Sequence, residues 1–173
     1  PEYADSLFGR SYPPFGCMRQ TDLRREYSAT IMTRGFAFYS YLTATRLPGQ
    51  ILSDMRSIAA KALDQSISRY RKNAEAFSSL DGTKNPPGNW NPRVIDFADL
   101  SRMAADLLGS NFDLFVEESL ASATKDADER DRAIALVETM VELCGLAGPL
   151  VVVGFLPPWY PHRSSLGDRK SVV

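Results

Sequence analysis

The sequence is poor in the residues that bind metals and carry out nucleophilic catalysis. Its 173 residues include one histidine, His162, and two cysteines, Cys17 and Cys144. A protein zinc site takes three or four ligands, mainly His, Cys and carboxylates. A Ser–His or Cys–His couple needs a histidine positioned by the fold. Only His162 is available for either role, and it lies in a proline-rich stretch, so we expect no cofactor in this chain.

Neither sign of charge dominates, and long apolar runs are missing. The 20 basic and 21 acidic residues are interleaved and give a formal net charge of −1. This balance argues against a nucleic-acid or anionic-membrane partner. No apolar run approaches the roughly 18 residues of a membrane span, and no signal-peptide pattern opens the chain. With two distant cysteines, these features predict a cytoplasmic protein with reduced thiols. The chain begins at Pro1 without Met and stops after a loop-like stretch, which favours a fragment of a longer protein.

Three segments have the composition of β-strands. Residues 27–43 are β-prone, with aromatic side chains on both alternating faces, and Gly35 is a candidate bulge. Residues 94–97 are a short strand candidate, and residues 150–156 form a continuous apolar run, as expected for a strand covered on both faces. We predict that the three strands share one mixed sheet.

Apolar residues recurring at steps of three and four predict helices between these strands. The longest is predicted over residues 50–77, with Pro48 in its first turn. Its outer face, which includes Arg56, is expected to be solvated. Shorter helices are predicted over residues 99–108, 112–120 and 128–143, the first closed by Gly109 and the last capped by Asp126 or Asp128.

The predicted fold class is α/β, a mixed sheet with helices packed on it. The domain spans residues 27–156, after an irregular leading segment (1–26) and before a proline- and aromatic-rich exit loop and tail (157–173). A short helical turn, capped by Thr21 or Asp22, is predicted at residues 21–26. The two cysteines are expected to pack as small hydrophobic side chains.

The candidate binding residues are Tyr160, His162 and Arg163. They follow the carboxyl end of the predicted strand 150–156, where ligands bind in open α/β sheets. An aromatic ring, an imidazole and a guanidinium group together can hold an amino-acid carboxylate. The alternative is an ordinary exposed loop. No catalytic or metal-binding residues are predicted.

Two stretches resemble a known family. Residues 17–27 read CMRQTDLRREY and lead into the aromatic strand, and residues 149–161 read PLVVVGFLPPWYP. Both resemble the RocB-like arginine-utilisation branch of the zinc-dependent aminoacylase and carboxypeptidase superfamily. In that branch a D-L-K/R-x-x-Y element precedes the strand, and a hydrophobic strand ends in F-x-P-P-Y-Y-P.

The resemblance implies that this chain is the lid or dimerisation portion of a longer metallohydrolase acting on amino-acid amide bonds. Zinc would belong to the catalytic domain of the parent chain, since the family's ligand motifs are missing here. The lid would be a ferredoxin-like variant whose exit loop faces the substrate. The implied homodimer would form through the strand at residues 27–43 or the helix at residues 50–77. The family's usual lid is a compact βαββαβ unit, whereas here three helices separate two of the predicted strands.

Two other functional classes stay open at this point. One is a free-standing α/β binding or interaction module without catalytic activity. The other is a small autonomous enzyme built around His162 and nearby carboxylates; Glu117 and Glu118 are poor candidates, since their helix position predicts solvent-facing charges.

Overall fold

The computed structural model describes residues 3–23, 33–82, 90–122 and 127–157. The predicted α/β class is confirmed. The chain divides into two compact units, Pro1–Leu47 with Leu156–Val173, and Pro48–Phe155. The strands and helices, in chain order, are β1 (Asp5–Leu7), β2 (Arg10–Tyr12), β3 (Gly16–Asp22), β4 (Gly35–Ser40), α1 (Pro48–Asp81), β5 (Arg93–Asp96), α2 (Phe97–Leu108), α3 (Phe112–Ala121), α4 (Glu129–Leu143) and β6 (Leu150–Val153).

The strands of the described residues form three separate two-stranded sheets. β1 pairs with β2 and β3 with β4, both antiparallel, whereas β5 pairs with β6 in parallel. The prediction of one mixed sheet is therefore wrong, because β4 pairs with β3 instead of joining β5 and β6. The reason is that β3 is polar and mostly exposed, so apolar patterning gave no sign of it as a strand.

The β3–β4 hairpin corrects two local predictions. Thr21 and Asp22 pair with Phe36 and Gly35, so they end a strand and do not cap a helical turn. Gly35 begins β4 and is not a bulge; the register shift lies in β3, between Cys17 and Arg19. A Cβ at Gly35 would come within 3.0 Å of the Thr21 carbonyl oxygen, so the close approach of the strands there favours glycine. Residues 24–32, the first part of the predicted aromatic strand, lie outside the described ranges.

In the same unit, the leading segment that was expected to be irregular forms strands, and a buried carboxylate ties it to residues 43–45. Asp5, at the start of β1, is only 6% exposed. Its Oδ2 accepts from the Thr43 hydroxyl at 2.7 Å and from the Ala44 and Thr45 backbone N–H groups, both at 2.8 Å. Its Oδ1 accepts from the Thr45 hydroxyl and from the Ser6 backbone N–H. This carboxylate joins segments about 40 residues apart in sequence.

The long helix α1 begins at Pro48, as predicted, and extends four residues past the predicted end at 77. It packs against β5 and β6. Ile67 is buried, but the large apolar side chains further along are not: Tyr70 is 53% exposed, Phe77 61% and Leu80 86%. The predicted apolar stripe is therefore covered only in part within this unit.

Three helices connect the two parallel strands, as a parallel pair requires a long crossover. Gly109 closes α2 with a positive φ of 56°, and Asp128 caps α4 by accepting from the N–H groups of Arg130 and Asp131. Both are as predicted, whereas Asp126 lies outside the described residues. The Asp128 side chain accepts hydrogen bonds from N–H groups that have no partner within the helix. The positive φ at Gly109 lets the backbone leave the helical conformation.

The core of this unit lies between α2 and α4. Leu100 and Ala104 of α2 and Leu136 and Met140 of α4 form a buried cluster. Partly buried side chains of α3, β5 and β6 pack around it. At the exit of β6, a Cβ at Gly154 would come within 3.0 Å of the Phe97 Cβ, so glycine lets the strand end lie against the start of α2. Among the described residues, no helix is both long and apolar enough to cross a membrane.

Candidate functional site

A polar arrangement beside a cavity lies at the carboxyl end of β5. Asp96 is the last residue of this strand and also the N-cap of α2. Its Oδ1 accepts from the backbone N–H of Asp99 at 2.8 Å. An aspartate three residues before a helical N–H is a favoured N-cap because it satisfies a donor that has no partner within the helix. Since β5 is one of two parallel strands, this position is where α/β sheets commonly bind ligands.

Arg56 reaches this strand end from α1. Its Nη1 donates to Asp96 Oδ2 at 2.7 Å and lies 3.8 Å from Asp99 Oδ2. Asp99 also pairs with Arg102, one turn further along α2. The Asp96 side chain is 14% exposed, whereas that of Arg56 is 42% exposed. The sequence predicts a solvated helix face for Arg56; the side chain is 42% exposed, and its guanidinium also pairs with these two carboxylates.

Hydrogen bonding sets the charge of Asp96. The backbone N–H of Asp99 lowers the pKa of the Asp96 carboxyl below its usual value; burial opposes this effect, and the Arg56 guanidinium lowers the pKa further. The carboxylate is thus ionised at neutral pH. It is suited to holding a positive group, not to donating a proton.

A cavity of about 270 Å³ opens beside this ion pair. It is lined by Gly49, Leu52 and Ser53 of α1 together with Arg56 and Asp96. Its lining includes one guanidinium, one carboxylate and one hydroxyl, so it is partly polar. Its lining has no imidazole or thiol that could act as a base or a nucleophile.

A second carboxylate with a lowered pKa, that of Asp5, is structural. Hydrogen bonds from the Thr45 side chain and backbone, followed by the Thr43 hydroxyl, hold the pKa of Asp5 well below its usual range. With five protein donors around its two oxygens, Asp5 has little capacity left for a ligand.

The two cysteines have different surroundings. Cys144 packs against the core between α2 and α4, as predicted, and burial raises the pKa of its thiol. Cys17 is exposed on β3, so for this residue the prediction of packing is wrong. Both are free thiols.

The remaining predicted site residues fall in different places. Tyr160, His162 and Arg163 lie outside the described residues. Glu117 and Glu118 are exposed on α3, as predicted. Within residues 3–23, 33–82, 90–122 and 127–157, no three His, Cys, Asp or Glu side chains come together in a group that could hold a metal ion.

Sequence reasoning missed the pairing of Arg56 with Asp96. An aspartate between a strand and an amphipathic helix indicates an N-cap, so the capping role of Asp96 could have been predicted from the sequence. Arg56 lies 40 residues earlier in the sequence, and nothing in its own helix distinguishes it from the neighbouring charges.

The fold is α/β, and a partly polar cavity of about 270 Å³ lies at the carboxyl end of β5. Among curated proteins, the chain is similar to the uncharacterized protein YqjN of Bacillus subtilis (strain 168). The two are 24% identical over 169 residues, which is 97% of this chain and 30% of that protein. The chain thus spans less than a third of the length of this relative. No family model and no solved structure matches the chain.

Proposed function

We propose that this chain is the non-catalytic lid or dimerisation portion of a longer RocB-like metallohydrolase that acts on amino-acid amide bonds in arginine utilisation. The match to YqjN supports the part of the proposal that places this chain in a longer protein, because 97% of this chain corresponds to 30% of that relative. A chain that aligns almost completely with part of a longer relative is expected to work as part of a longer polypeptide.

The resemblance to the RocB-like branch supplies the chemistry of the proposal. Its two segments, residues 17–27 and 149–161, include most of β3 and all of β6. As in that branch, Tyr160, His162 and Arg163 would face the substrate from the loop after β6 and hold its carboxylate.

Zinc, which the resemblance implies for the parent, does not fit the donors described in this chain. The Asp5 carboxylate is surrounded by protein donors, and Asp96 is paired with Arg56 and capped onto α2. Cys144 is held in its protonated form by burial, whereas a zinc-bound thiol is a thiolate. In this proposal the zinc ligands therefore come from the catalytic domain of the parent chain.

The proposal includes a homodimer and a cytoplasmic location. The proposed contact element is either the predicted strand at residues 27–43, of which β4 is a described part, or the predicted helix at residues 50–77, which lies within α1. Exposed apolar side chains on both support this: Tyr39 on β4 is 43% exposed, and Phe77 on α1 is 61% exposed. The free thiols of Cys17 and Cys144 suit a reducing compartment.

The test compares this chain with the full-length polypeptide that contains it. Both are dialysed and then assayed for bound zinc by mass spectrometry and for hydrolysis of N-acyl amino acids and dipeptides. The full-length protein is expected to retain zinc and to lose hydrolysis on chelation, whereas this chain alone does neither. Stoichiometric zinc in this chain, with an activity that a chelator removes, contradicts the proposal.

A second candidate function is an α/β binding module without catalytic activity. The cavity of about 270 Å³ beside Arg56 and Asp96 favours it, because the cavity lies at the carboxyl end of a parallel strand, where α/β sheets commonly bind ligands. A full-length protein that binds free amino acids by calorimetry, but has neither zinc nor hydrolytic activity, would favour this function over the first.

A further inference from the structure

β5 and β6 form a parallel sheet of only two strands. Parallel strands occur almost exclusively in larger sheets whose faces are covered by helices, and a two-stranded sheet is marginal by itself. Here α1 and α2 pack against both strands. Helices therefore cover the faces of this pair, as in a larger sheet, whereas no third strand pairs with either edge among the described residues.

The register identifies which backbone groups lie on the open edge of β6. The Arg93 N–H donates to the Pro149 carbonyl at 3.1 Å, and Arg93 pairs with Leu150. In a parallel ladder, both backbone groups of a residue face the same neighbouring strand, and the direction alternates along the chain. Val151 and Val153 therefore face β5, whereas Leu150 and Val152 direct their N–H and C=O groups to the opposite side.

The four residues of β6 carry none of the charges that often protect exposed strands; the strand is short, and Pro149 directly precedes it. Edge strands usually carry charges, proline or bulges that prevent pairing with another strand. β5 begins with Arg93 and ends with Asp96, whereas β6 consists of one leucine and three valines. Val153 is only 6% exposed, and the rest of β6 is half-buried. Such an apolar strand has the character of an interior strand.

The relative's length indicates what can pair with this edge. The match to YqjN covers 30% of that protein, so more than two thirds of its length is available to supply further strands. We propose that the outer edge of β6 pairs with a strand from the rest of the longer polypeptide, which extends β5–β6 into a larger sheet. This rests on the proposed function only in that the chain is part of a longer protein.

The first test measures hydrogen exchange of single backbone amides in the full-length polypeptide. The Val151 N–H, which faces β5, is the internal reference. The Val152 N–H is expected to exchange within about tenfold of the Val151 rate, because both are then held in sheet ladders. Exchange of Val152 about a hundredfold faster than Val151 overturns the inference. Protection of Val152 that disappears when the protein is diluted also overturns it, because the edge then pairs with a second copy.

The second test uses matched substitutions in the same full-length protein. Val152→Pro removes the outward N–H, whereas Val152→Thr keeps it and remains β-branched. Proline is tolerated at an exposed edge but not within a sheet. The proline variant is therefore expected to raise the equilibrium constant for unfolding at least about tenfold more than the threonine variant does. Equal effects overturn the inference. Neither test uses zinc or hydrolysis, so a protected Val152 in a protein without amidohydrolase activity leaves this inference standing while the proposed function fails.

Discussion

Replacement of Asp96 by alanine is expected to lower the free energy of unfolding by about 0.5–3 kcal/mol. Loss of an aspartate N-cap costs about 0.5–2 kcal/mol. The ion pair with Arg56 adds roughly 0–1 kcal/mol, because the Arg56 side chain is 42% exposed and solvent weakens the attraction. The two contributions come from different oxygens of the same carboxylate and can be measured separately.

Two further substitutions divide the effect. Asp96→Asn keeps an oxygen that accepts from the Asp99 N–H but removes the charge, so it is expected to cost less than about 1 kcal/mol. Arg56→Met removes only the cationic partner and keeps most of the side-chain volume. A double-mutant cycle with Asp96→Asn then gives the coupling between the two side chains.

The pH dependence follows from the lowered pKa of Asp96 in the folded protein. A lowered folded pKa means that the stabilisation is fully present above the unfolded pKa of about 3.9 and is lost as pH falls through the folded value. The native protein is therefore expected to lose more stability than Asp96→Asn when the pH falls below about 4.

Urea denaturation with linear extrapolation provides the measurement. If Asp96→Asn costs as much as Asp96→Ala, the cap contributes nothing and the reasoning about Oδ1 is wrong. If Asp96→Ala is as stable as the native protein, neither the N-cap hydrogen bond nor the ion pair with Arg56 contributes measurably to the free energy of unfolding. Unaltered acid sensitivity in Asp96→Asn would contradict the origin of the pKa shift.

Three further predictions concern the core, the dimer and the loop after β6. Leu100→Ala is expected to cost about 2–5 kcal/mol, because Leu100 is fully buried, whereas Leu107→Ala, at a position that is 62% exposed on the same helix, should cost under about 1 kcal/mol in the same denaturation assay. Analytical ultracentrifugation at about 100 μM should detect the proposed dimer. Tyr39→Asp should weaken the dimer, whereas Phe38→Asp, in a half-buried position, should mainly lower the free energy of unfolding. A strictly monomeric native protein would contradict the proposal. In the full-length enzyme, His162→Ala should lower kcat/KM about tenfold, or about 1.4 kcal/mol, with little change in stability; an unchanged kcat/KM would make His162 an ordinary loop residue.

The helices of the second unit were predictable because their signals are local. The apolar spacing of α4, the cap at Asp128 and the glycine at 109 all lie within or next to the helices that they define. Likewise, local composition predicted strands where β5 and β6 lie, and most of their residues are at least half-buried. Such features are determined by neighbours in sequence and need no knowledge of the tertiary fold.

The features that escaped prediction depend on contacts between distant segments. β3 is a strand because it pairs with β4, since its own composition is polar and its side chains are exposed. The contact between Arg56 and Asp96 depends on how α1 lies across β5, and no periodicity within α1 reports this. The pairing of β3 and the candidate site could therefore be found only from the structure, whereas the fold class could be predicted from the sequence.

The bonding of Asp5 has a consequence for shortened versions of the protein. All five of its donors belong to the backbone or to hydroxyl groups of Ser6 and residues 43–45. Removing the first strand would therefore withdraw the acceptor shared by Thr43, Ala44 and Thr45, although the deletion lies almost 40 residues away from them. Asparagine is a poor substitute, since its NH2 group would face a donor on one side. The first strand thus helps to hold residues 43–45, just before Pro48, in place. A truncated version for expression should therefore keep both segments or remove both.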